Sequence, residues 1–511
     1  MSELGWKNVA HFLANLKLQG GDKTALVFES ESGECVSHSY KEMASRAYGV
    51  AEHLKRLGVK RGERVALWLR NSDEYVIAWL GVLALGAVVV PLNACFLPAE
   101  ADEILARIKA RAIISEFELF SIKFKPQLII TKAEIQKIKP RASFKSEAGL
   151  ADVAEIIFTS GTSGTPKGVV LTQYNLLFSV AYGADVMGLR GGESFISVMP
   201  LWHIDAQCTQ LLPILGACGK FVLLSRYSAS GFMASVRRHK AEITELIPKI
   251  IKTLMLSPKS ELDRVHSLRL VMFYLSIGEA ELIKFKSRFG VGRMLSSWGM
   301  SESVVGAITQ RASESENLSS IGRLGAGYAA RLVRDDGSEA GVGEAGELWL
   351  RAERGKELFS GYFDDEALNE KSFFGGWFRT GDVMRRDEWG EFYFIDRAKN
   401  LIKTLGENVS SVEIEMLISQ LSGVSEVAAI GVKDELDEEM IATFIVPSGK
   451  GELSVAAVQE YCAARVARFK VPKFVIFKDN LEKTASGKVK KELLKAEFER
   501  MNLKGKANER G

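Results

Sequence analysis

The chain has 511 residues, 47% apolar and 26% charged, with 67 Lys and Arg against 64 Asp and Glu for a net charge of +3. That length exceeds the ~250–300 residues at which single cores stop growing, so several domains are required, and the balanced charge gives no nucleic-acid footprint. Five scattered cysteines (Cys35, Cys95, Cys208, Cys218, Cys462) form no CxxC pair and are odd in number, which argues against a complete disulfide framework and a cysteine zinc site. Reduced thiols, and an N-terminus without a basic-then-apolar leader pattern, predict a cytoplasmic protein. Ser39-Tyr40-Lys41-Glu42 spells a capping box that opens a helix running to Leu57, ahead of Gly58. A strand is expected over 63–69, a helix over 73–85 and a strand over 87–90. The apolar stretch 75–92 approaches the lower limit for a membrane span, but Gly81, Gly86 and Pro91 interrupt it, so a buried helix and then a buried strand are predicted, with no transmembrane segment.

This alternation argues for mostly parallel sheets covered by helices, an α/β fold. A buried strand follows at 154–158, then a Gly/Ser/Thr loop and a helix after Thr172. Between about 344 and 393 the texture turns β-rich, with strands in GELWLRA and EFYFID. After Asp396 it changes again, with helices over 410–421 and 454–469 and strands over 424–432, 440–446 and 473–477. The expected organisation is a large N-terminal domain over 1–396, with a β-rich subdomain over about 320–396. A hinge at 397–400 and a small, mobile α+β C-terminal domain over 401–511 complete it. The basic run Lys488, Lys490, Lys491 and Lys495 reads, on its own, as a solvated helix face.

The loop Thr159-Ser160-Gly161-Thr162-Ser163-Gly164-Thr165-Pro166-Lys167-Gly168 carries the clearest chemistry. Glycines let backbone N–H groups converge on an anion, five hydroxyls add donors, and Lys167 adds a positive charge. The pattern suits a polyphosphate but is not a Walker A loop, which would need Gly at 166 and Ser or Thr at 168. A plain surface loop is the competing reading; a Pro-Lys-Gly ending between two apolar strands argues against it.

FTSGTSGTPKGVVLT closely resembles the signature of the adenylate-forming superfamily, which includes acyl-CoA synthetases, luciferases and peptide-synthetase adenylation domains. Further elements follow in that family's order: Trp298-Gly299-Met300-Ser301-Glu302, Thr380-Gly381-Asp382, Asp396-Arg397-Ala398-Lys399-Asn400 with Ile402-Lys403 and Gly406, and Lys483-Thr484 with Gly487-Lys488. The likeness spans about residues 20–495. It implies an ATP-dependent acid–CoA ligase working through an acyl-adenylate, with ATP, Mg²⁺ and coenzyme A taken up alongside a small carboxylic acid. Lys488 would bridge the carboxylate and the α-phosphate, and Glu302 would help hold Mg²⁺. Asp382 would accept from the ribose hydroxyls, and Arg397 would contact ribose or α-phosphate. Trp298, Gly299, Met300 and Ser301, with Gly278 and Glu279, would border the adenine. Lys403 and Gly406 would also serve cofactor binding, Gly406 beside the pantetheine. Lys399 would be the hinge about which the C-terminal domain turns between half-reactions. The chain departs from the pattern at Glu482, where proline is common, at Gln173, where histidine is frequent, and over 276–280.

Two patterns are set aside. Gly341, Gly343 and Gly346 spell GxGxxG but precede a strand instead of opening a helix. His203 and Asp205 could be a metal pair or part of a hydrolase triad, yet no GxSxG surrounds Ser163. Pro200-Leu201-Trp202-His203 instead matches a family element lining the acyl site, giving His203 a catalytic role. Trp202, Asp205, Tyr227 and Tyr274 are the remaining pocket candidates. Their aromatic faces suit an alkyl chain or a quaternary ammonium. The stretches MPLWHIDAQCTQLLPILGACGKFVLLSRYSASGF, ITELIPKIIKTLM and KTLGENVSSVEIE are similar to crotonobetaine/carnitine-CoA ligases, which favours a betaine acid. A medium- or long-chain fatty acid is the alternative substrate. A non-catalytic nucleotide-binding protein is the alternative of another class, opposed by the joint presence of Lys167, Glu302, Asp382, Arg397 and Lys488. A homodimer is left open.

Overall fold

The computed structural model describes the chain apart from residues 1–4, 160–165, 275–278, 335, 398–400, 405–406, 434–438, 450–452, 483–488 and 509–511. It separates into two compact units. One comprises Met1–Ala94, Asp102–Phe158 and Gly168–Asp396, the other Cys95–Ala101, Thr159–Lys167 and Arg397–Gly511.

The first unit is built on two large sheets. In the nine-stranded one the spatial order is Arg323–Leu324, Ile308–Thr309, Arg293–Trp298, Leu270–Phe273, Ile243–Leu246, Ser194–Ser197, Lys220–Leu224, Thr24–Glu29 and Cys35–Ser39. The six strands from Arg293–Trp298 to Thr24–Glu29 pair in parallel. From Ser194–Ser197 the chain crosses to Lys220–Leu224 on one side and then to Ile243–Leu246 on the other. This reversal is a topological switch point, and in such sheets the crevice beyond the carboxyl ends of the strands is where ligands bind.

The seven-stranded sheet runs Gly361–Tyr362, Lys167–Thr172, Val153–Thr159, Val88–Pro91, Arg64–Trp68, Ala112–Ser115, Leu128–Thr131, and its central pairings are also parallel. The expected βαβ architecture is therefore present. The helix Tyr40–Arg56 has the predicted capping box between Ser39 and Glu42. The helix Asp73–Leu85 starts on Ser72 and closes at Gly86, and all thirteen of its residues are buried. Each large aliphatic side chain buried in this way contributes about 1.5–3 kcal/mol, so its all-round apolarity is explained by core packing. Among the described residues no helix is long and apolar enough to cross a membrane.

Gln173 is fully buried. Its Oε1 accepts from Val9 N at 2.8 Å and its Nε2 donates to Leu83 O at 3.0 Å. This departure from the family pattern is a staple between the N-terminal helix and the core helix. The β-rich part pairs Ala329–Val333, Ala345–Arg351, Trp377–Arg386 and Phe373–Phe374 in antiparallel order, with Phe392–Arg397 beside Trp377–Arg386.

In the second unit, the strands Val424–Lys433, Glu439–Pro447 and Phe474–Phe477 form one sheet, and Leu401–Thr404 pairs with Glu407–Ser410. Period-two alternation gives the three-stranded sheet two apolar faces. Ala429, Ile441 and Ile445 pack with Ile414, Ile418 and Val458; Ala428, Ile430 and Phe444 pack with Leu494 and Phe498. The helix expected over 454–469 is shorter, Val455–Ala463. Arg465 N and Val466 N both bond Cys462 O, the first an i to i−3 bond that tightens the chain where periodicity would have continued the helix.

Candidate active site

Trp298 closes a central strand and Asp382 lies within Trp377–Arg386, yet the indole Nε1 donates to Asp382 Oδ2 at 2.9 Å. Both are at most 8% exposed. The Thr-Gly-Asp segment is locally built for this. Three residues, 380–382, stand opposite Leu348 alone, because Glu347 pairs with Val383 and Trp349 with Arg379. Thr380 Oγ1 donates to Leu348 O and Asp382 N donates to Thr380 Oγ1, while Gly381 takes φ +75°, a conformation disfavoured for side-chain-bearing residues. The bulge turns the carboxylate inward to the tryptophan.

Glu302 follows Trp298 in a tight 3₁₀ turn, Ser301–Ser303, and is 5% exposed. Tyr362 Oη donates to its Oε1 at 2.7 Å, and burial beside this carboxylate pushes the phenol's pKa far up. One oxygen is thus oriented by a neutral donor, and the carboxylate keeps a second hard oxygen, a donor set that fits Mg²⁺. Directly after the turn Val304 sits at φ +65°. A β-branched residue in the left-handed region is strained, and such strain persists only where neighbours over-determine it. Here Ser303 Oγ bonds Met300 N and Val305 O, and Tyr328 Oη donates to Ser303 O. Gly299 lies in the same turn; a Cβ there would come 2.7 Å from Val305 O.

Thr159 ends one strand and Lys167 begins its neighbour in the seven-stranded sheet, so the loop between them spans adjacent strand ends. Ser160, Gly161, Thr162, Ser163, Gly164 and Thr165 lie outside the described residues, as do Gly278, Lys399, Gly406 and Lys488. Arg397 ends the strand Phe392–Arg397, and Lys403 pairs with Asn408 across the short hairpin. Glu279 opens the helix Glu279–Phe289 and accepts from Ser319 Oγ at 2.6 Å.

The acyl candidates follow the carboxyl ends of parallel strands: Trp202, His203 and Asp205 after Ser194–Ser197, Tyr227 after Lys220–Leu224 and Tyr274 after Leu270–Phe273. Leu201 N donates to Asn71 Oδ1, and Gln207 Nε2 donates to Leu201 O, which fixes the Pro200–His203 turn. Trp202 and His203 are half-buried with ring centroids 6.2 Å apart. Asp205 starts a π-helical segment, Asp205–Leu211, a winding found frequently at functional sites. Tyr274 follows the strand Leu270–Phe273, and its hydroxyl is buried. Tyr227 shares its hydroxyl with Thr253 Oγ1 at 2.6 Å.

The AMP-binding enzyme family matches residues 13–363, and the AMP-binding enzyme C-terminal domain matches 413–488. The chain belongs to the AMP-binding enzymes. It is 37% identical to crotonobetaine/carnitine–CoA ligase of Salmonella enteritidis PT4, over 97% of this chain and 100% of that one, and equally so to the Salmonella typhimurium protein. Its fold matches o-succinylbenzoate CoA synthetase of Bacillus subtilis with a TM-score of 0.84, at 25% identity over 96% of this chain and 98% of that one. A fatty acyl CoA synthetase of Mycobacterium tuberculosis gives 0.71, at 26% identity over 97% and 99%. This AMP-binding enzyme is an AMP-forming acid–CoA ligase: carboxylate, ATP and coenzyme A give acyl-CoA, AMP and diphosphate through an acyl-adenylate.

Of the acidic side chains at most 1% exposed among the described residues, Glu155 and Glu245 were not among the sequence candidates. Glu245 lies on the strand Ile243–Leu246. Glu155, on Val153–Thr159, is fully buried; its Oε1 accepts from Gln207 Nε2 at 2.9 Å and Trp79 Nε1 at 3.3 Å. Burial pushes the Glu155 carboxyl from 4.5 up to about 8, the two donors offsetting this only in part. A carboxyl whose folded pKa is raised contributes stability that is complete below the unfolded value and is lost as pH rises through the folded one. Wild-type stability should therefore fall between pH 4.5 and about 8. Glu155→Gln keeps an acceptor for both donors and removes the titration. Chemical denaturation across this range is expected to show a shallower fall in the variant, by on the order of a few kcal/mol at its alkaline end. Parallel curves would refute the assignment.

Proposed function

We propose that this ligase activates a betaine acid, a carboxylate carrying a quaternary ammonium, of the carnitine or crotonobetaine type. The observation that carries the reading is the end-to-end 37% identity to ligases named for those two acids. It is supported by the aromatic side chains Trp202 and Tyr274 around the acyl candidates, which suit an ammonium through cation–π attraction.

In the first half-reaction a carboxylate oxygen of the acid attacks the α-phosphorus of ATP, and the bond to the bridging oxygen breaks with diphosphate leaving. Negative charge spreads over phosphoryl oxygens, so cations and oriented donors matter more than a strong base. We assign the loop from Thr159 to Lys167 to the phosphates and Lys488 to the carboxylate–phosphate contact. Asp382, held by Trp298, is assigned to the ribose, and Arg397 to ribose or α-phosphate. Glu302, aimed by Tyr362, would hold Mg²⁺, which when bound neutralises phosphate charge. In the second half-reaction the coenzyme A sulfur attacks the acyl carbon, the thiol proton is lost, and AMP leaves. We assign His203 to the acyl side of this step and Gly406 to the pantetheine. The part from 401 onward, turning about Lys399, would present Lys488 for the first step and then withdraw it. A cytoplasmic location matches the supply of ATP and coenzyme A.

The test is AMP and diphosphate release with ATP, Mg²⁺ and coenzyme A across carnitine, crotonobetaine, γ-butyrobetaine, fatty acids from acetate to palmitate, and aryl acids. The betaines are expected to give the highest kcat/KM. Preference for alkyl acids would overturn the betaine reading and place the enzyme with the fatty acyl ligases.

A further inference from the structure

Beside the switch point lies a group of buried polar atoms that the adenylation chemistry does not use. Glu245 stands at the carboxyl end of Ile243–Leu246, in the centre of the nine-stranded sheet, and is 1% exposed. Neither of its carboxylate oxygens has a hydrogen-bond partner among the described residues. Asp205, Gln210 and Tyr274 all approach it closely, short of full hydrogen-bond geometry. The Tyr274 hydroxyl is likewise buried without a partner among the described residues.

Asp205 is treated differently by its surroundings. Gln210 Nε2 donates to its Oδ2 at 2.9 Å, and the Gln210 carbonyl is itself aimed by Ser197 Oγ at 2.6 Å. Thr209 Oγ1 bonds the other oxygen. The π-helical winding brings positions 205, 209 and 210 to one side, toward Glu245, while Gln207 points to Glu155. Donors therefore hold Asp205 as an acceptor, while Glu245 opposite it has no donor in full hydrogen-bond geometry among the described residues.

In an apolar interior two facing carboxyls are poor as a pair of anions, and either a proton on one of them or a cation between them relieves it. A hydrocarbon tail would leave the Glu245 oxygens against methylenes. An ammonium bearing N–H groups would be matched by directed acceptor geometry. A quaternary ammonium has no N–H to donate; its charge is spread over methyl groups, and it asks for negative potential and aromatic faces without directed bonds. Burial and the neighbouring Asp205 both drive the Glu245 carboxyl to hold its proton in the free enzyme, so the negative potential is completed when a cation arrives.

We infer that Glu245, with Asp205 beside it, forms the anionic end of the acyl site and takes the trimethylammonium group of the substrate, making the pair the specificity determinant for betaine acids. This rests on the betaine reading above. The test compares γ-butyrobetaine with 5,5-dimethylhexanoate, in which a carbon replaces the charged nitrogen at equal shape, using full-length wild type, Glu245→Gln and Glu245→Asp. In Glu245→Gln, kcat/KM for γ-butyrobetaine is expected to fall on the order of 10²-fold, mostly through KM, while that for the neutral isostere rises. Glu245→Asp, which keeps the charge, is expected to retain the betaine preference. Glu245→Gln is expected to melt no lower than wild type, because a buried carboxyl becomes an isosteric amide. Equal losses on both acids, or a lowered melting temperature with an unchanged ratio, would show a packing role and overturn the inference while leaving the betaine reading intact. A wild type that ligates the isostere and rejects γ-butyrobetaine would overturn both.

Discussion

Lys488→Ala is expected to lower the rate of acyl-adenylate formation by on the order of 10²–10³-fold, the usual cost of removing one group aimed at developing phosphoryl charge. Thioester formation from a supplied acyl-adenylate should stay close to the wild-type rate. The asymmetry follows from the two transition states. In the first, negative charge grows on oxygens around the α-phosphorus, and a compact ammonium on a flexible stem meets it. In the second, the reacting atoms are sulfur and the acyl carbon, and the adenylate is the leaving group. A single-turnover assay of each half-reaction separates them: diphosphate release reads the first, and acyl-CoA formation from preformed adenylate reads the second. Equal losses in both would refute the division of labour and tie Lys488 to the binding of AMP in general.

Glu302→Gln is the second large effect. The amide keeps an acceptor for Tyr362 Oη, so the buried turn remains satisfied and the fold is expected to hold. What disappears is the negative charge. Adenylation should slow by on the order of 10²-fold, and half-saturation by Mg²⁺ should move to higher concentration. Tyr362→Phe supplies the geometric control. It leaves the charge and removes the hydrogen bond that aims it, so a loss of about tenfold is expected, in keeping with one hydrogen bond to a charged group. An unchanged Mg²⁺ requirement in Glu302→Gln would refute the assignment of this carboxylate to the metal.

The two core elements that were legible to the residue show why some structure can be read locally. Asp73–Leu85 begins at an N-cap serine and stops at a glycine, so its limits are set by its own backbone chemistry. The same holds for the capping box at Ser39 and Glu42. The helix expected to reach residue 469 has no such stop signal. It ends at Ala463 although Val458, Cys462 and Val466 keep a helical spacing toward one apolar cluster, so periodicity alone does not register the stop.

Site residues divide in the same way. Glu302 and Trp298 share one short motif, and their neighbourhood follows from it. The contact of Trp298 with Asp382 joins positions 84 apart and needs the three-against-one bulge opposite Leu348 to form. Glu245 carried no signal: Ile-Thr-Glu-Leu has no clean alternation, so nothing in the segment assigns the glutamate to a buried or a solvent face. Only the placement of that strand in the middle of a parallel sheet, under the π-helical segment, buries the carboxylate.

By itself, then, the sequence determined the class of enzyme, the alternation that builds parallel sheets, and the candidates proposed for phosphate and metal, because these depend on local spacing and on chemistry that few residue types can supply. The tertiary structure decided which carboxylates are buried, which tryptophan holds which aspartate, and where two acidic side chains face each other at a switch point. Those outcomes depend on which face of each strand is covered, a property of the assembled layers and of no single segment.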